Sequence, residues 1–309
     1  MRCLLALLPL CTLAHADPKT CVDGKPFDPK TLGDRIAYLA SEKLGGRVPG
    51  TAGDTAARAY IVEQLKCLGL EPGGFDGSYL QPFVDNDNHD TANVIGYLRG
   101  TDAKVGDQII VIAAHHDHLG NGLYGANDNA SGVVAMLAIA QAIRQHGDPK
   151  RTIAFVAFGA EEAGLLGSQY FVAHPPPLLP IAKIVQDINL DMVGSYSSKG
   201  FVAAMGTFPR LPARTLLDKL TAKNPKLHVG VGGRASRSDH LAFCKAGIPY
   251  VFFWTPDARC YHEACDTADK IDRKHMADIA ALAGELAWTL AESTSDLAAA
   301  RTKLGCDGR

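Results

Sequence analysis

Five short runs of branched and aromatic residues do most to limit how this chain can fold. Residues 92–98, 108–114, 152–158, 184–189 and 250–254 are rich in Val, Ile, Ala and Phe and hardly alternate between apolar and polar positions. A strand with one wet face alternates with period two, whereas continuous apolar runs of this length suit strands covered on both faces. Helical spacing of apolar residues marks 31–43, 54–68, 131–145, 210–223 and 267–293. Strand and helix in alternation predict an α/β chain: a three-layer α/β/α sandwich with a mixed, mostly parallel central sheet. Sites in such sheets form beyond the carboxyl ends of the strands.

The rest of the composition narrows the class. At 309 residues and a formal net charge of −2, the chain has no basic patch for nucleic acid or an anionic membrane. No repeat or low-complexity linker divides it. Residues 1–16 have the form of a signal peptide: Arg2, an apolar stretch over 4–13, then Ala14-His15-Ala16. That stretch is too short to span a bilayer. The expectation is an exported protein, periplasmic or secreted, with one catalytic domain over 17–309. Beyond Cys3 and Cys11 the cysteines are Cys21, Cys67, Cys244, Cys260, Cys265 and Cys306. An even number in an exported chain favours disulfides, and Cys260 with Cys265, bracketing His262, is the expected local pair.

Ionisable residues follow the strands after the first. The second run leads into His115-His116-Asp117-His118, and GANDNASG with Asp128 follows; the third delivers Glu161 and Glu162, the fourth Asp191, and the fifth Tyr261, His262 and Asp266. Each alone has a plainer reading as a solvated charge, a turn or a helix cap. Gathered at one edge of a sheet, the carboxylates would repel and raise one another's pKa. Two divalent metals resolve this. Carboxylates of Asp128, Glu162 and Asp191 with neutral imidazoles of His115 and His262 form the nitrogen and oxygen donor set of catalytic zinc. The glycines at 230–233 lack a dinucleotide fingerprint and are expected to form a loop.

These motifs resemble those of the co-catalytic zinc exopeptidases of the bacterial leucyl aminopeptidase type, a family that also takes in glutamate carboxypeptidases and animal-type glutaminyl cyclases. The His-x-Asp motif is matched by His115 and Asp117, and the G-A-x-D-x-A-S-G motif by 125–132. The Glu-Glu-x-G-L-x-G-S motif is matched by 161–168, Asn-Leu-Asp-Met by 189–192, and the last Tyr-His by Tyr261 and His262. The resemblance implies two Zn2+ ions, one held by His115, Asp128 and Asp191, the other by Asp128, Glu162 and His262. It makes Glu161 the general base and Asp117 the residue that orients His115. Tyr261 is expected to donate to the developing oxyanion or to pack, and Asp239 and His240 to lie behind the ligands or touch substrate. The implied activity is removal of N-terminal residues from peptide substrates. The alternatives are a single-zinc glutaminyl cyclase and a non-catalytic binding module. Only 47 positions separate Leu68 from His115, so the inserted domain of larger members is not expected. His116 should point away from the site by strand alternation, and His118 toward its entrance. Phe252, Phe253 and Trp254 suit a core strand better than a pocket. The sequence leaves the oligomeric state open.

Overall fold

The computed structural model describes residues 24–233, 237–301 and 306; the expected leader at 1–16 and Cys21 lie outside them. The strands in chain order are β1 (Glu71–Pro72), β2 (Leu80–Val84), β3 (Asp90–Leu98), β4 (Ile109–His115), β5 (Thr152–Phe158), β6 (Ile184–Leu190), β7 (Val202–Met205), β8 (Val229–Val231) and β9 (Tyr250–Trp254). They form one sheet in the order β1-β3-β5-β4-β6-β9-β7-β8, with β2 also paired to β3. The ladders β5–β4, β4–β6 and β6–β9 are parallel; β3 runs antiparallel to β5, and β7 antiparallel to β9. The sheet is therefore mixed as expected, but parallel only in its centre and between β7 and β8. All five expected strands are present. The four extra ones are short flanking strands of two to five residues, one of which takes in Gly230 where a loop was expected.

The helices are α1 (Pro29–Leu39), α2 (Ala52–Cys67), α3 (Gly132–His146), α4 (Leu166–Ala173), α5 (Tyr196–Lys199), α6 (Pro212–Lys223), α7 (His240–Lys245) and α8 (Arg273–Glu292). Alternate strand residues feed two cores. Ile110, Ile112, Phe155, Ile188 and Val251 pack with α1, α2, α3 and α8 through Ile36, Ile61, Leu137 and Leu286. Val111, Ala113, Val156 and Phe158 pack on the other side with Phe171 of α4 and Phe243 of α7. Helix α3 is buried almost all round, between sheet and α8, which explains its nearly uninterrupted apolar sequence. Side chains of Asp28, Thr51 and Asp272 cap α1, α2 and α8. The first expected helix ends at Leu39, short of 43: Ser41 is extended and a separate 3-10 segment, Glu42–Arg47, follows, with Gly45 and Gly46 left-handed inside it.

Candidate metal centre

Strand β4 separates the first two histidines by its pleat. Odd positions face α4 and α7, and His115 ends that row. His116 turns to the opposite face, where it is fully buried and its Nε2 lies 3.0 Å from Oδ1 of Asp54 on α2. Arg58 clasps the same carboxylate at 3.0 Å through Nε and Nη2. Burial alone would raise the Asp54 pKa, but the His116 hydrogen bond and the charges of His116 and Arg58 bring it below the usual value. A carboxyl held low contributes stability above its unfolded pKa and loses it as pH falls through its folded one. Asp54→Asn is thus expected to cost about 3 kcal/mol near pH 7. The melting-temperature gap to wild type should close below about pH 4; a gap independent of pH would discount the charge.

Past the strand end the alternation stops. His118 is buried, not at an entrance: its Nδ1 lies 2.7 Å from Oε1 of Glu162. Asp117 also differs in detail from expectation. Its carboxylate accepts the amides of Glu161 and Glu162 at 3.0 and 3.1 Å. Nδ1 of His115 faces the Asp117 carbonyl at 3.2 Å and the carboxylate only at 3.7 Å. One aspartate therefore holds both the loop after β5 and the imidazole.

The Asp128 loop is knitted to the loop after β6. Asn129 Oδ1 accepts the amide of Met192 at 3.2 Å, Ser131 Oγ that of Val193 at 3.0 Å and Asn127 Oδ1 that of Gly194 at 2.8 Å. The polar residues of GANDNASG thus satisfy the main chain beside Asp191. Gly125 is required at its start: φ is 60°, and a Cβ would stand 1.9 Å from the Asp128 carbonyl oxygen. From the far side Asp266 accepts the amides of Asn127 and Asp128 at 2.7 and 3.0 Å. Asp266 follows Cys265, whose disulfide with Cys260 closes the loop carrying His262. Cys67 is disulfide-bonded too, whereas Cys306 is a free thiol, so the expected full pairing of the six cysteines is not met.

These loops bring the expected ligands together. Nε2 of His115 lies 3.3 Å from Oδ1 of both Asp128 and Asp191; Nε2 of His262 lies 3.2 Å from Oδ2 of Asp128 and Oε2 of Glu162. Atoms bound to one tetrahedral zinc at 2.0–2.2 Å stand about 3.3–3.6 Å apart, so both groups have roughly the spacing of ligands. Nε2 of His262 is buried and has no hydrogen-bond partner, as a nitrogen reserved for a cation would be. The donor set fits zinc.

The electrostatics agree with a cation site. Burial lowers the His115 pKa, but Glu161, Asp191, Asp117 and Asp128 around it raise it well above the usual value. Burial pushes Glu161 up to about 10 against the pull of His115, with Asp239, Asp191 and Asp117 adding to the rise. Tyr261 is 44% exposed and stacks on His262 at 3.8 Å, its phenol raised to about 12 by burial and the neighbouring carboxylates.

A cavity of about 450 Å3 opens over His115, Asp128, Glu161, Glu162 and Asp191. Phe252 and Trp254 line it together with Met192 and Met205, while Phe253 between them enters the core. The β9 aromatics thus serve both pocket and core, where the core alone was expected. Arg237 and Asp257 also reach the cavity, and neither stood out in the sequence. Asp239 lies fully buried behind it, its pKa raised by burial to about 7 despite His115. His240 is not among the residues that line the cavity. It is buried and stacks on Phe252 at 4.4 Å and against Tyr250 at 4.7 Å.

Residues 93–287 match peptidase family M28. The leupeptin-inactivating enzyme 1 of Streptomyces exfoliatus is 29% identical over 288 residues, covering 84% of this chain and 60% of that protein. Aminopeptidase YwaD of Bacillus subtilis (strain 168) is 31% identical over 201 residues, 61% of this chain and 42% of that protein. The chain thus spans 60% or less of these two relatives. Among solved structures, a zinc aminopeptidase from Bacillus subtilis superposes with a TM-score of 0.73 at 19% identity, covering 89% of this chain and 98% of that one.

Proposed function

The chain belongs to peptidase family M28, and from that premise we propose that it is a zinc-dependent aminopeptidase that releases N-terminal residues from peptides at a two-zinc centre. The observation that carries this reading is the pair of ligand groups sharing Asp128, with Glu161 beside them on the floor of the cavity. His115, Asp128 and Asp191 would hold one ion, and Asp128, Glu162 and His262 the other. When bound, zinc would polarise the scissile carbonyl and acidify the attacking water.

The chain's own groups do the rest. Glu161 takes the water's proton and delivers it to the leaving amine, a transfer that needs a carboxylate beside the ligands but not among them. Asp117 fixes that carboxylate by gripping the amides of both glutamates. Tyr261, which lines the cavity, would donate to the oxygen on which negative charge develops. Met192, Met205, Phe252 and Trp254 favour an apolar N-terminal side chain. We also propose that the chain works outside the cytoplasm, in the periplasm or secreted; the disulfides favour an oxidising compartment.

A panel of aminoacyl-arylamides and short peptides tests the substrate class. Leu and Met substrates are expected to exceed Asp by roughly tenfold or more in kcat/KM, and N-acetylation should block release. Cyclisation of an N-terminal Gln peptide without amino-acid release would instead identify a glutaminyl cyclase.

A further inference from the structure

Behind the ligand loops lies a buried arginine that neither the motifs nor the proposed chemistry uses. Arg47 ends the 3-10 segment at Glu42–Arg47, sits at φ 59° and is 0% exposed. Its Nε donates to the carbonyl of His116 at 2.6 Å, Nη1 to those of Leu39 at 2.5 Å and Tyr124 at 2.8 Å, and Nη2 to that of Gly125 at 2.9 Å. His116 lies between His115 and Asp117, and Gly125 opens the loop of Asp128. A single planar fork therefore ties the two ligand-bearing loops to each other and to the end of α1.

All four acceptors are neutral, and neutral carbonyls alone are poor compensation for an interior charge. The negative charge that offsets it belongs to the site: Asp117, Asp128, Asp266 and Glu162 are the carboxylates whose fields Arg47 feels. The neighbouring main chain is built for this close approach. A Cβ on Gly46, at φ 82°, would stand 2.6 Å from the Gly120 amide nitrogen and the Leu123 oxygen.

We propose that Arg47 is a positioning residue for the metal centre, its guanidinium fixing the spacing of the His115–Asp117 and Asp128 loops so that the zinc ligands are arrayed before the ions arrive. The inference rests on the two-zinc reading above. A matched control exists within the chain. Arg151 is also 0% exposed; it donates to Oε1 of Gln108 at 2.8 Å and to the carbonyls of Leu290, Ser293 and Ser295. It precedes the amino end of β5, whereas His115 is level with the carboxyl end of that strand at Phe158.

The test compares zinc dissociation constants, by competition with a chromophoric chelator, for wild type, Arg47→Lys, Gly46→Ala and Arg151→Lys, with melting curves of zinc-loaded and chelated protein. Lysine keeps the charge but lacks the fork. Gly46→Ala changes neither the guanidinium nor a ligand side chain; it presses the Arg47 segment on the main chain of residues 120 and 123, and so probes the same contact between that segment and the ligand loops even if Arg47→Lys does not fold. Arg47→Lys and Gly46→Ala are expected to weaken zinc about 10–100-fold and to narrow the melting gap between loaded and chelated forms. Arg151→Lys should lower both melting temperatures alike and keep wild-type affinity. Zinc affinities within about twofold of wild type in Arg47→Lys and Gly46→Ala, beside a general loss of stability, would reduce Arg47 to a strut of the fold and overturn the proposal. A wild type that binds no zinc would overturn the metal reading itself.

Discussion

Glu161→Gln is expected to lower kcat by on the order of 10²–10⁴-fold while zinc content stays at the wild-type level. The substitution preserves shape and leaves the main-chain amide of residue 161 free to donate to Asp117. It removes only the ability to take and return a proton. Burial and the surrounding carboxylates push Glu161 up to about 10, the wrong direction for a base at neutral pH. Divalent cations at the neighbouring ligands act in the opposite sense, since a nearby positive charge favours the ionised carboxylate. On the proposed mechanism the base and the metals would therefore be coupled, each ion at the ligands favouring the ionised form of Glu161. Kinetics and elemental analysis on the same preparation separate them: near-wild-type turnover with full zinc would remove Glu161 from the reaction.

The second large effect concerns the shared ligand. Asp128 lies within 3.3 Å of both His115 and His262, so on the two-zinc proposal Asp128→Asn should weaken both ions at once. Zinc content is expected to fall toward zero, turnover to the uncatalysed background, and the melting temperature toward that of chelated wild type. His262→Ala supplies the contrast, because it leaves His115, Asp128 and Asp191 intact and should retain one equivalent. Two equivalents still bound to Asp128→Asn would show that the carboxylate does not bridge.

How much of this was legible in the sequence depended on how local the cause was. The five interior strands declared themselves because burial on both faces demands unbroken apolar runs. Short strands near the sheet's margin, such as β7 and the edge strand β8, carry no such demand and passed unseen. Pleat alternation placed His116 on the far face correctly, but the same rule has no force past the strand end, and His118 turned inward to Glu162. Ligand types at motif spacing marked the candidate metal residues. Contacts to main-chain amides and carbonyls left no such trace: Asp117 and Asp266 stood out as residues, but the amides they accept did not, and Arg47 had no assigned role. Asp266 reaches amides 138 and 139 positions away, and Arg47 reaches carbonyls 69 and 78 positions away. A carbonyl acceptor has no sequence signature, so only the folded chain reveals why one arginine near the start belongs to the site.

The measurement that bears most directly on the whole account is release of leucine from a leucyl-arylamide by the purified protein before chelation, after exhaustive chelation and after zinc is restored. A metal-dependent aminopeptidase loses activity with its zinc and regains it when about two equivalents return. Activity that survives complete removal of metal would contradict the account.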